Sequence, residues 1–220
     1  MQQTGWRLAV KKTVDRSAAL ASLVVFSPVM AAAAVAIRAT MGSPVLFRQP
    51  RPGLHERVFQ AIKFRTMNAA VDDSGRPLPD GERLTPLGRW LRNTSIDELP
   101  QLWNVLRGDL SLVGPRPLLV DYLERYTQEE HRRHDVLPGI TGLTAVRGRN
   151  ALSWEDRFRF DLEYVDSWSL GLDAKILALT VWKVIRREGI SYAGHPTMPN
   201  LRHWKERANG AQAREREPAR

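Results

Sequence analysis

The stretch SAALASLVVFSPVMAAAAVAI, residues 17–37, contains no charged residue over its whole length. About 20 apolar residues in a helix suffice to span the hydrocarbon core of a bilayer. A basic start, an apolar middle and an alanine-rich end are also the parts of a secretory signal peptide. A third interpretation is a re-entrant helix, which enters one leaflet and returns to the side it came from. The segment thus predicts membrane association or secretion by one of three routes.

Two features of this segment favour the re-entrant interpretation. Ser27 and Pro28 lie in its middle, where a proline removes a backbone hydrogen bond and kinks a helix. A spanning helix is asymmetric in Lys and Arg, which stay on the cytoplasmic side, whereas a segment with both ends on that side need not be. Here basic residues flank both ends: Lys11, Lys12 and Arg16 before, Arg38, Arg48 and Arg51 after.

The composition limits the classes of partner and metal. A chain of 220 residues with 43% hydrophobic residues fits one domain with short appendages and a real core. The net charge of +9 indicates anionic partners, such as nucleic acid, anionic lipid or phosphorylated small molecules. The absence of cysteine excludes disulfides, thiolate nucleophiles and zinc–thiolate sites. With only five scattered histidines, an oxygen-ligated ion such as Mg²⁺ is the favoured metal.

Local patterns predict an α+β chain that is predominantly helical. Residues 45–47 and 58–67 read as the two strands of a β-hairpin, with QPRPG as the turn between them. The Gly-, Pro- and Asp-rich residues 69–83 predict an exposed loop. Helices are predicted over residues 86–92, 97–107, 118–134, 154–168 and 173–188.

Two segments near the C-terminus have their own predictions. AKILALTVWKVIRR, residues 174–187, suits an interfacial helix whose apolar side dips into lipid while its arginines meet phosphate headgroups. The same segment also suits an ordinary core helix with a cationic end that complements its dipole. Residues 201–220 are charged and poor in apolar side chains, which predicts a disordered tail.

An acidic pair stands out in NTSIDELPQLWNVLRGDLSLVGPRPLL, residues 93–119. Ser95 and Glu98 have the spacing of a capping box, while Pro100, which belongs in a first helical turn, allows Asp97 as the cap instead. Either choice puts Asp97 and Glu98 at a helix N-terminus, where the dipole keeps carboxylates ionised. Such carboxylates serve as a nucleophile or as metal ligands, although acidic residues in a first turn are also common as caps.

Basic residues surround this pair in the sequence. Arg116 lies between two prolines, which fix the backbone, and arginine suits bidentate recognition of phosphate. Lys63 shares a predicted strand face with Arg65. In PGITGL, Gly139 and Gly142 permit close backbone approach to a ligand. Further candidates are Arg89, Arg92, Arg107, Arg147 and Arg149, and the acidic residues Asp161, Glu163, Asp166 and Asp173 are weaker candidates for a metal.

Four blocks together resemble the bacterial monotopic phosphoglycosyltransferases of the small PglC type. They are the apolar segment with Ser27-Pro28, FRQPRPGLHERVFQAIKFRTM, SIDELPQLWNVLRGDLSLVGPRPLL and HDVLPGITGLTAVRGRNALSWEDRF. They cover residues 11–187 in the order of the family. The resemblance implies a re-entrant membrane helix over residues 1–40 and a catalytic domain over residues 41–200, with interfacial amphipathic helices and a small cytoplasmic globular part.

The resemblance also implies a reaction. Asp97 would attack the β-phosphate of a UDP-sugar, release UMP and pass the phosphosugar to undecaprenyl phosphate in a ping-pong mechanism. Asp97 and Glu98 would be catalytic, with Glu98 associated with Mg²⁺. Lys63, Arg92, Arg116 and Arg149 are the corresponding phosphate-binding candidates.

The implied partners are the UDP-sugar, undecaprenyl phosphate and membrane lipids, at the cytoplasmic face of the bacterial inner membrane. Nucleic acid is not expected, because aromatic residues do not interleave with a basic stripe. A membrane-surface scaffold without catalysis is disfavoured by the acidic pair beside Arg116. No motif selects one UDP-sugar or one oligomeric state.

Overall fold

The computed structural model describes residues 3, 5–148, 152–186, 201 and 204. The fold is mostly helical and carries two small sheets, as the α+β prediction requires. The helices are α1 (Gly5–Met41), α2 (Asp80–Arg83), α3 (Pro86–Asn93), α4 (Gln101–Arg107), α5 (Gln128–His131), α6 (Leu143–Arg147), α7 (Trp154–Ser167) and α8 (Leu170–Arg186). The strands are β1 (Leu46–Pro52), β2 (Val58–Phe64), β3 (Ser111–Val113) and β4 (Gly139–Thr141).

Helix α1 contacts the globular part of the chain with two segments, one before and one after residues 24–29, which we call its first and second arm. By length and composition it is apolar enough to cross a membrane, and it contains Pro28. Its first arm packs Ala19 against a cluster in α4, and its second arm packs Ala33 and Ile37 under β2 and α3. Between the arms, residues 24–29 are exposed on every side. Six residues make more than a full turn, so the described globular part covers no face of the helix over this stretch.

The N-terminal end of α1 is fixed to the core by buried polar contacts. Lys11 donates hydrogen bonds to the carbonyl oxygen of Val113, at 3.1 Å, and to Oδ2 of Asp173, at 2.7 Å. Asp15, one turn further along, accepts a 2.7 Å bond from the Ser111 hydroxyl. Because breaking a buried ion pair leaves an uncompensated charge, these contacts hold α1 in one position on β3 and α8.

The predicted β-hairpin is present, but its first strand is longer than expected. β1 pairs antiparallel with β2 from Leu46–Phe64 to Pro52–Val58, so most of the predicted turn QPRPG is strand. A two-stranded sheet has only edge strands, which tolerate the missing N–H groups of proline. The turn lies at residues 53–57, where His55 and Glu56 have left-handed backbones.

The second sheet brings two glycine-containing segments into contact. β3 pairs parallel with β4, Ser111 beside Gly139 and Val113 beside Thr141. A Cβ on Gly139 would lie 2.1 Å from the Gly114 nitrogen, and one on Gly142 would lie 2.2 Å from the Gly114 oxygen. Backbone packing against Gly114, which precedes Pro115 and Arg116, therefore requires glycine at both positions.

Several predicted helices have different bounds. Residues 118–134 form no single helix, because Tyr126 and Thr127 are extended and Thr127 starts α5 with a capping box that includes Glu130. Helix α8 buries Ile176 in the core, whereas Val181 and Trp182 near its end are exposed. In the predicted tail, Leu201 and Trp204 pack on the cluster of Tyr122, Trp154 and Phe158, and the rest lies outside the described residues.

Candidate active site

The acidic pair lies on a short turn ahead of α4. The predicted capping box is wrong: Ser95 has a left-handed backbone, with φ at 58°, and its side chain caps nothing. Ile96–Glu98 form a 3-10 turn, and α4 begins only at Gln101. The Glu98 side chain turns towards basic residues on other segments and not back to the Ser95 backbone.

The residues on either side of the pair contact different arms of α1. Ile96 packs with the cluster that contains Ala33 and Ile37, whereas Leu99 packs with the cluster that contains Ala19. The acidic pair therefore lies between these two clusters.

Glu98 is held as an anion by two cations from distant segments. Its Oε1 accepts a 2.6 Å hydrogen bond from Lys63 Nζ on β2 and a 2.5 Å bond from Arg116 Nη2. Burial alone would raise the pKa of Glu98, but the charges and hydrogen bonds of Arg116 and Lys63 lower it far below its usual value. Glu98 therefore stays ionised under all physiological conditions.

Asp97 has a different environment from its neighbour. The residue is 7% exposed, and its carboxylate accepts no hydrogen bond from the part of the chain that the structure describes. Burial and the charge of Glu98 raise the pKa of Asp97 to about 6, against the opposing effect of Lys63, Arg92 and Arg116. At neutral pH it is a largely ionised but poorly solvated carboxylate, the state that suits a nucleophile.

Arg92 extends from α3 towards the site, and α3 packs closely against the segment around Thr66. Its Nε donates a 3.1 Å hydrogen bond to the Thr66 hydroxyl. A Cβ on Gly88, one turn earlier in α3, would lie 1.8 Å from the Thr66 carbonyl oxygen. Only glycine allows this approach, which brings Arg92 near enough to Asp97 to lower its pKa.

The loop of Arg116 is held in place by tertiary contacts that the sequence patterns did not reveal. Arg133 is 2% exposed; its Nε and Nη2 donate to Oδ2 of Asp161, and Nη2 also donates a 2.7 Å bond to the Arg116 carbonyl oxygen. Arg51 on β1 donates a 3.3 Å bond to the Pro117 carbonyl oxygen. No local motif could have predicted these contacts, because they join segments far apart in the sequence.

The structure brings together some of the predicted basic residues and not others. Lys63, Arg92 and Arg116 surround the acidic pair, whereas Arg149 lies outside the described residues. Arg65 follows the end of β2 and donates to the backbone oxygens at the end of α1. Arg147 pairs with Glu163 and Arg107 with Asp109, away from the site.

Each of the weaker acidic candidates for a metal ligand forms an ion pair with a basic side chain. Asp161 pairs with Arg133, Glu163 with Arg147, Asp166 with Arg132 and Asp173 with Lys11. In the described ranges, no three acidic or histidine side chains form a cluster that could hold a metal. Both cations bond Oε1 of Glu98, and among the described residues no hydrogen bond is made to its Oε2.

Sequence comparisons show which proteins this chain resembles. The family model described as bacterial sugar transferase matches residues 6–187. An uncharacterised sugar transferase, EpsL, of Bacillus subtilis is 53% identical over 86% of this chain and 94% of its own length. A UDP-glucose:undecaprenyl-phosphate glucose-1-phosphate transferase of Caulobacter vibrioides is 42% identical over 78% of this chain and 68% of its own. An undecaprenyl-phosphate galactose phosphotransferase of Salmonella typhimurium is 39% identical over 82% of this chain, but only 41% of its own length.

Proposed function

Because the chain belongs to the family of bacterial sugar transferases, we propose that it moves a sugar phosphate from a UDP-sugar to undecaprenyl phosphate. Several relatives are named as transferases that use undecaprenyl phosphate, which supports this class of acceptor. The observation that carries the proposal is the unequal acidic pair: two cations neutralise Glu98, whereas Asp97 is buried and accepts no hydrogen bond from the described residues.

In the first half-reaction, an oxygen of Asp97 attacks the phosphorus next to the sugar. The bond from that phosphorus to the bridging oxygen breaks, UMP leaves with the electron pair, and Asp97 carries the sugar phosphate. Lys63, Arg92 and Arg116 lie where they can neutralise charge on the transferred phosphoryl group, which is the main requirement of phosphoryl transfer. A covalent intermediate divides one difficult displacement into two easier ones.

In the second half-reaction, an oxygen of undecaprenyl phosphate attacks the same phosphorus. The bond to Asp97 breaks, and the carboxylate regains its electron pair. The product is undecaprenyl diphosphosugar, and the chain is ready for another donor. Glu98, which stays ionised, fixes Lys63 and Arg116 throughout both steps.

The donor set of the site is compatible with Mg²⁺. This ion is usually held by one or two carboxylates together with substrate phosphates. Oε2 of Glu98 would hold it and the donor's diphosphate would supply further oxygens, which agrees with the absence of a larger acidic cluster in the described ranges. When bound, Mg²⁺ would neutralise phosphate charge.

We propose that α1 is re-entrant and that the chain lies on the cytoplasmic face of the inner membrane. Two packed arms with residues 24–29 uncovered between them, around Ser27 and Pro28, support a bend whose apex enters lipid. Trp90, Trp103 and Trp182 are each about half exposed on α3, α4 and α8, as expected of interfacial helices. A carrier phosphate at the membrane surface would then meet Asp97 without leaving the lipid.

The decisive experiment traps the intermediate. Purified full-length chain in detergent is incubated with Mg²⁺ and UDP-sugars labelled with ³²P in the sugar-side phosphate, without acceptor. The chain should become labelled as UMP appears, and undecaprenyl phosphate should remove the label. Asp97→Asn should give neither label nor UMP, while Asp109→Asn on the loop after α4 serves as the matched control. Label on Asp97→Asn would remove Asp97 as the nucleophile.

A further inference from the structure

An open cavity lies where α1 ends and β1 begins. Its volume is about 610 Å³, and its lining combines two arginines with small and apolar residues: Arg38, Ser43, Pro44, Val45, Leu46 and Arg48. Arg38 is the first charged residue after the apolar segment, residues 17–37. The cavity therefore adjoins the end of the segment that we place in lipid.

The two arginines of this cavity have no partner in the part of the chain that the structure describes. Both residues are exposed, and neither side chain makes a hydrogen bond or an ion pair there. After Asp15, α1 contains no acidic residue, and β1 and β2 contain none. An anion that enters the cavity would consequently meet two cations and no carboxylate from the elements that line it.

Arg65 already binds the carbonyl groups beside the cavity. Its Nη2 donates a 2.8 Å hydrogen bond to the Gly42 oxygen and also bonds the Met41 oxygen, and its Nη1 donates a 3.1 Å bond to the Ser43 oxygen. The last carbonyls of a helix carry partial negative charge, which would otherwise attract Arg38 and repel an anion. Arg65 thus leaves the cavity arginines available and holds the backbone beside them in place.

The cavity residue Arg48 lies on the opposite face of the hairpin from Lys63, which bonds Glu98. The register places Arg48 beside Ile62, the residue before Lys63. Successive side chains of a strand point to opposite faces of its sheet. The hairpin therefore separates a phosphate bound at Arg48 from the acidic pair. This placement favours a lipid of the surrounding membrane as the occupant, over the sugar donor or the lipid carrier.

We propose that this cavity binds the headgroup of an anionic membrane phospholipid, with Arg38 and Arg48 contacting its phosphate. The inference goes beyond the proposed reaction but rests on the proposed membrane placement of α1. Val35, about one turn before Arg38, is exposed, so the lipid-facing surface of α1 continues up to the cavity. Val45 and Leu46 offer apolar contact to the upper part of the acyl chains.

The charge of the cavity selects the class of lipid. Arginine suits the recognition of phosphate oxygens, and basic pockets at the membrane surface bind anionic headgroups. A zwitterionic lipid would bring its own ammonium group close to two guanidinium groups, where like charges repel. An anionic headgroup such as phosphatidylglycerol brings only the charge that the arginines lack.

The experiment counts bound lipid and needs no turnover. The full chain in detergent is titrated with dioleoyl phosphatidylglycerol or with dioleoyl phosphatidylcholine, and native mass spectrometry gives the bound fraction of each. The wild-type chain should bind phosphatidylglycerol more tightly. Arg38→Gln and Arg48→Gln should each weaken that binding roughly fivefold, as expected for loss of one basic residue at an anionic surface.

Arg57→Gln is the matched control. Arg57 is exposed in the turn at the far end of the same hairpin, so the substitution removes an equal charge outside the cavity. Its phosphatidylglycerol affinity should equal that of the wild type. The melting temperatures of both cavity variants in phosphatidylcholine should also stay unchanged, because their arginines support no contact among the described residues.

Four outcomes would overturn the assignment. Unchanged phosphatidylglycerol affinity in both cavity variants would exclude the site. An equal loss in Arg57→Gln would indicate attraction to the whole basic surface. Displacement of the lipid by inorganic phosphate would indicate a site for free phosphate, and tighter binding of undecaprenyl phosphate at the same arginines would assign the cavity to the carrier.

Failure of the other proposals would look different. If the membrane placement were wrong, the chain would be found in the soluble fraction of cells. If the proposed reaction were wrong, the wild-type chain would release no UMP from any UDP-sugar, while its binding of phosphatidylglycerol would persist.

Discussion

The buried Arg133 side chain donates a 2.7 Å hydrogen bond to the backbone oxygen of Arg116, the residue that neutralises Glu98. The same guanidinium is paired with Asp161 and packs near the rings of Tyr126 and Phe158. Arg133 is therefore a positioning residue: it touches the backbone of Arg116 and fixes where that side chain begins.

Arg133→Gln should lower both the stability of the chain and its rate of UMP release. Loss of one partner leaves Asp161 buried without its ion pair, which costs about 3 kcal/mol. Thermal unfolding should show this loss, and UMP release should fall beyond the loss of folded protein because Arg116 is displaced. Arg132→Gln is the control, since Arg132 pairs with Glu129 and Asp166 at the surface. Equal effects of the two substitutions would contradict the role of Arg133.

The first half-reaction should follow the ionisation of Asp97. With a pKa of about 6, raised by burial and by Glu98, the carboxylate is protonated below pH 6 and ionised above it. The burst of UMP should therefore increase with pH up to about 7 and then level off. Rapid-quench measurements of that burst between pH 5 and pH 8 would test this. A rate already constant from pH 5 would mean that Asp97 has an ordinary pKa.

Glu98→Gln should move that pH dependence to lower pH. The substitution removes a negative charge next to Asp97 and frees Lys63 and Arg116 to interact with it, so the pKa of Asp97 falls. The same burst experiment gives the midpoint, although its amplitude should be smaller because the two cations lose their anchor. A midpoint at or above the wild-type value would contradict this electrostatic coupling.

Asp97→Asn should make the folded chain more stable while it abolishes turnover. A carboxylate with a pKa raised on folding binds its proton more tightly in the native state, so it lowers stability as pH rises from about 4 to about 6. Above that range, ionised Asp97 lowers the free energy of unfolding by up to about 3 kcal/mol, at about 1.4 kcal/mol per pKa unit. Asparagine removes this cost. The melting temperature at pH 7.5 should rise by several degrees, and a fall would contradict the prediction.

Pro28→Ala should change the membrane topology. Alanine restores the hydrogen bond that proline removes, which favours a straight helix over a bend between the two arms. A cysteine at position 2, labelled from outside intact cells, would be protected in the otherwise wild-type chain and accessible in part of the variant. Val29→Ala, with Pro28 retained, should keep the protection. Labelling of the wild-type N-terminus from outside would remove the re-entrant proposal.

Local sequence patterns predicted the features of this fold that depend on neighbouring residues. The hairpin, α3, α7 and the apolar α1 all follow from periodicity and composition. Glu98 shows where this reasoning fails. Its spacing from Ser95 indicates a capping box, but its carboxylate accepts hydrogen bonds from Lys63 and Arg116 instead. Arg51 and Asp161 stand out in the sequence only as a flanking charge and a weak metal candidate. Their contacts around Arg116, like those of Arg133, are tertiary, so no spacing in the chain reveals these contacts.

The uncovered residues 24–29 bear on the range of membranes in which the chain could work. A spanning helix must match the thickness of the hydrocarbon layer, and a mismatch makes it tilt or deforms the bilayer. In the proposed re-entrant arrangement, a bend whose two arms rest on one globular body has no second interface to reach. Its insertion depth is set by the distance from Ala19 and Ala33 to the apex, a property of the protein alone. Activity should consequently be insensitive to acyl-chain length, provided that the carrier phosphate stays at the surface.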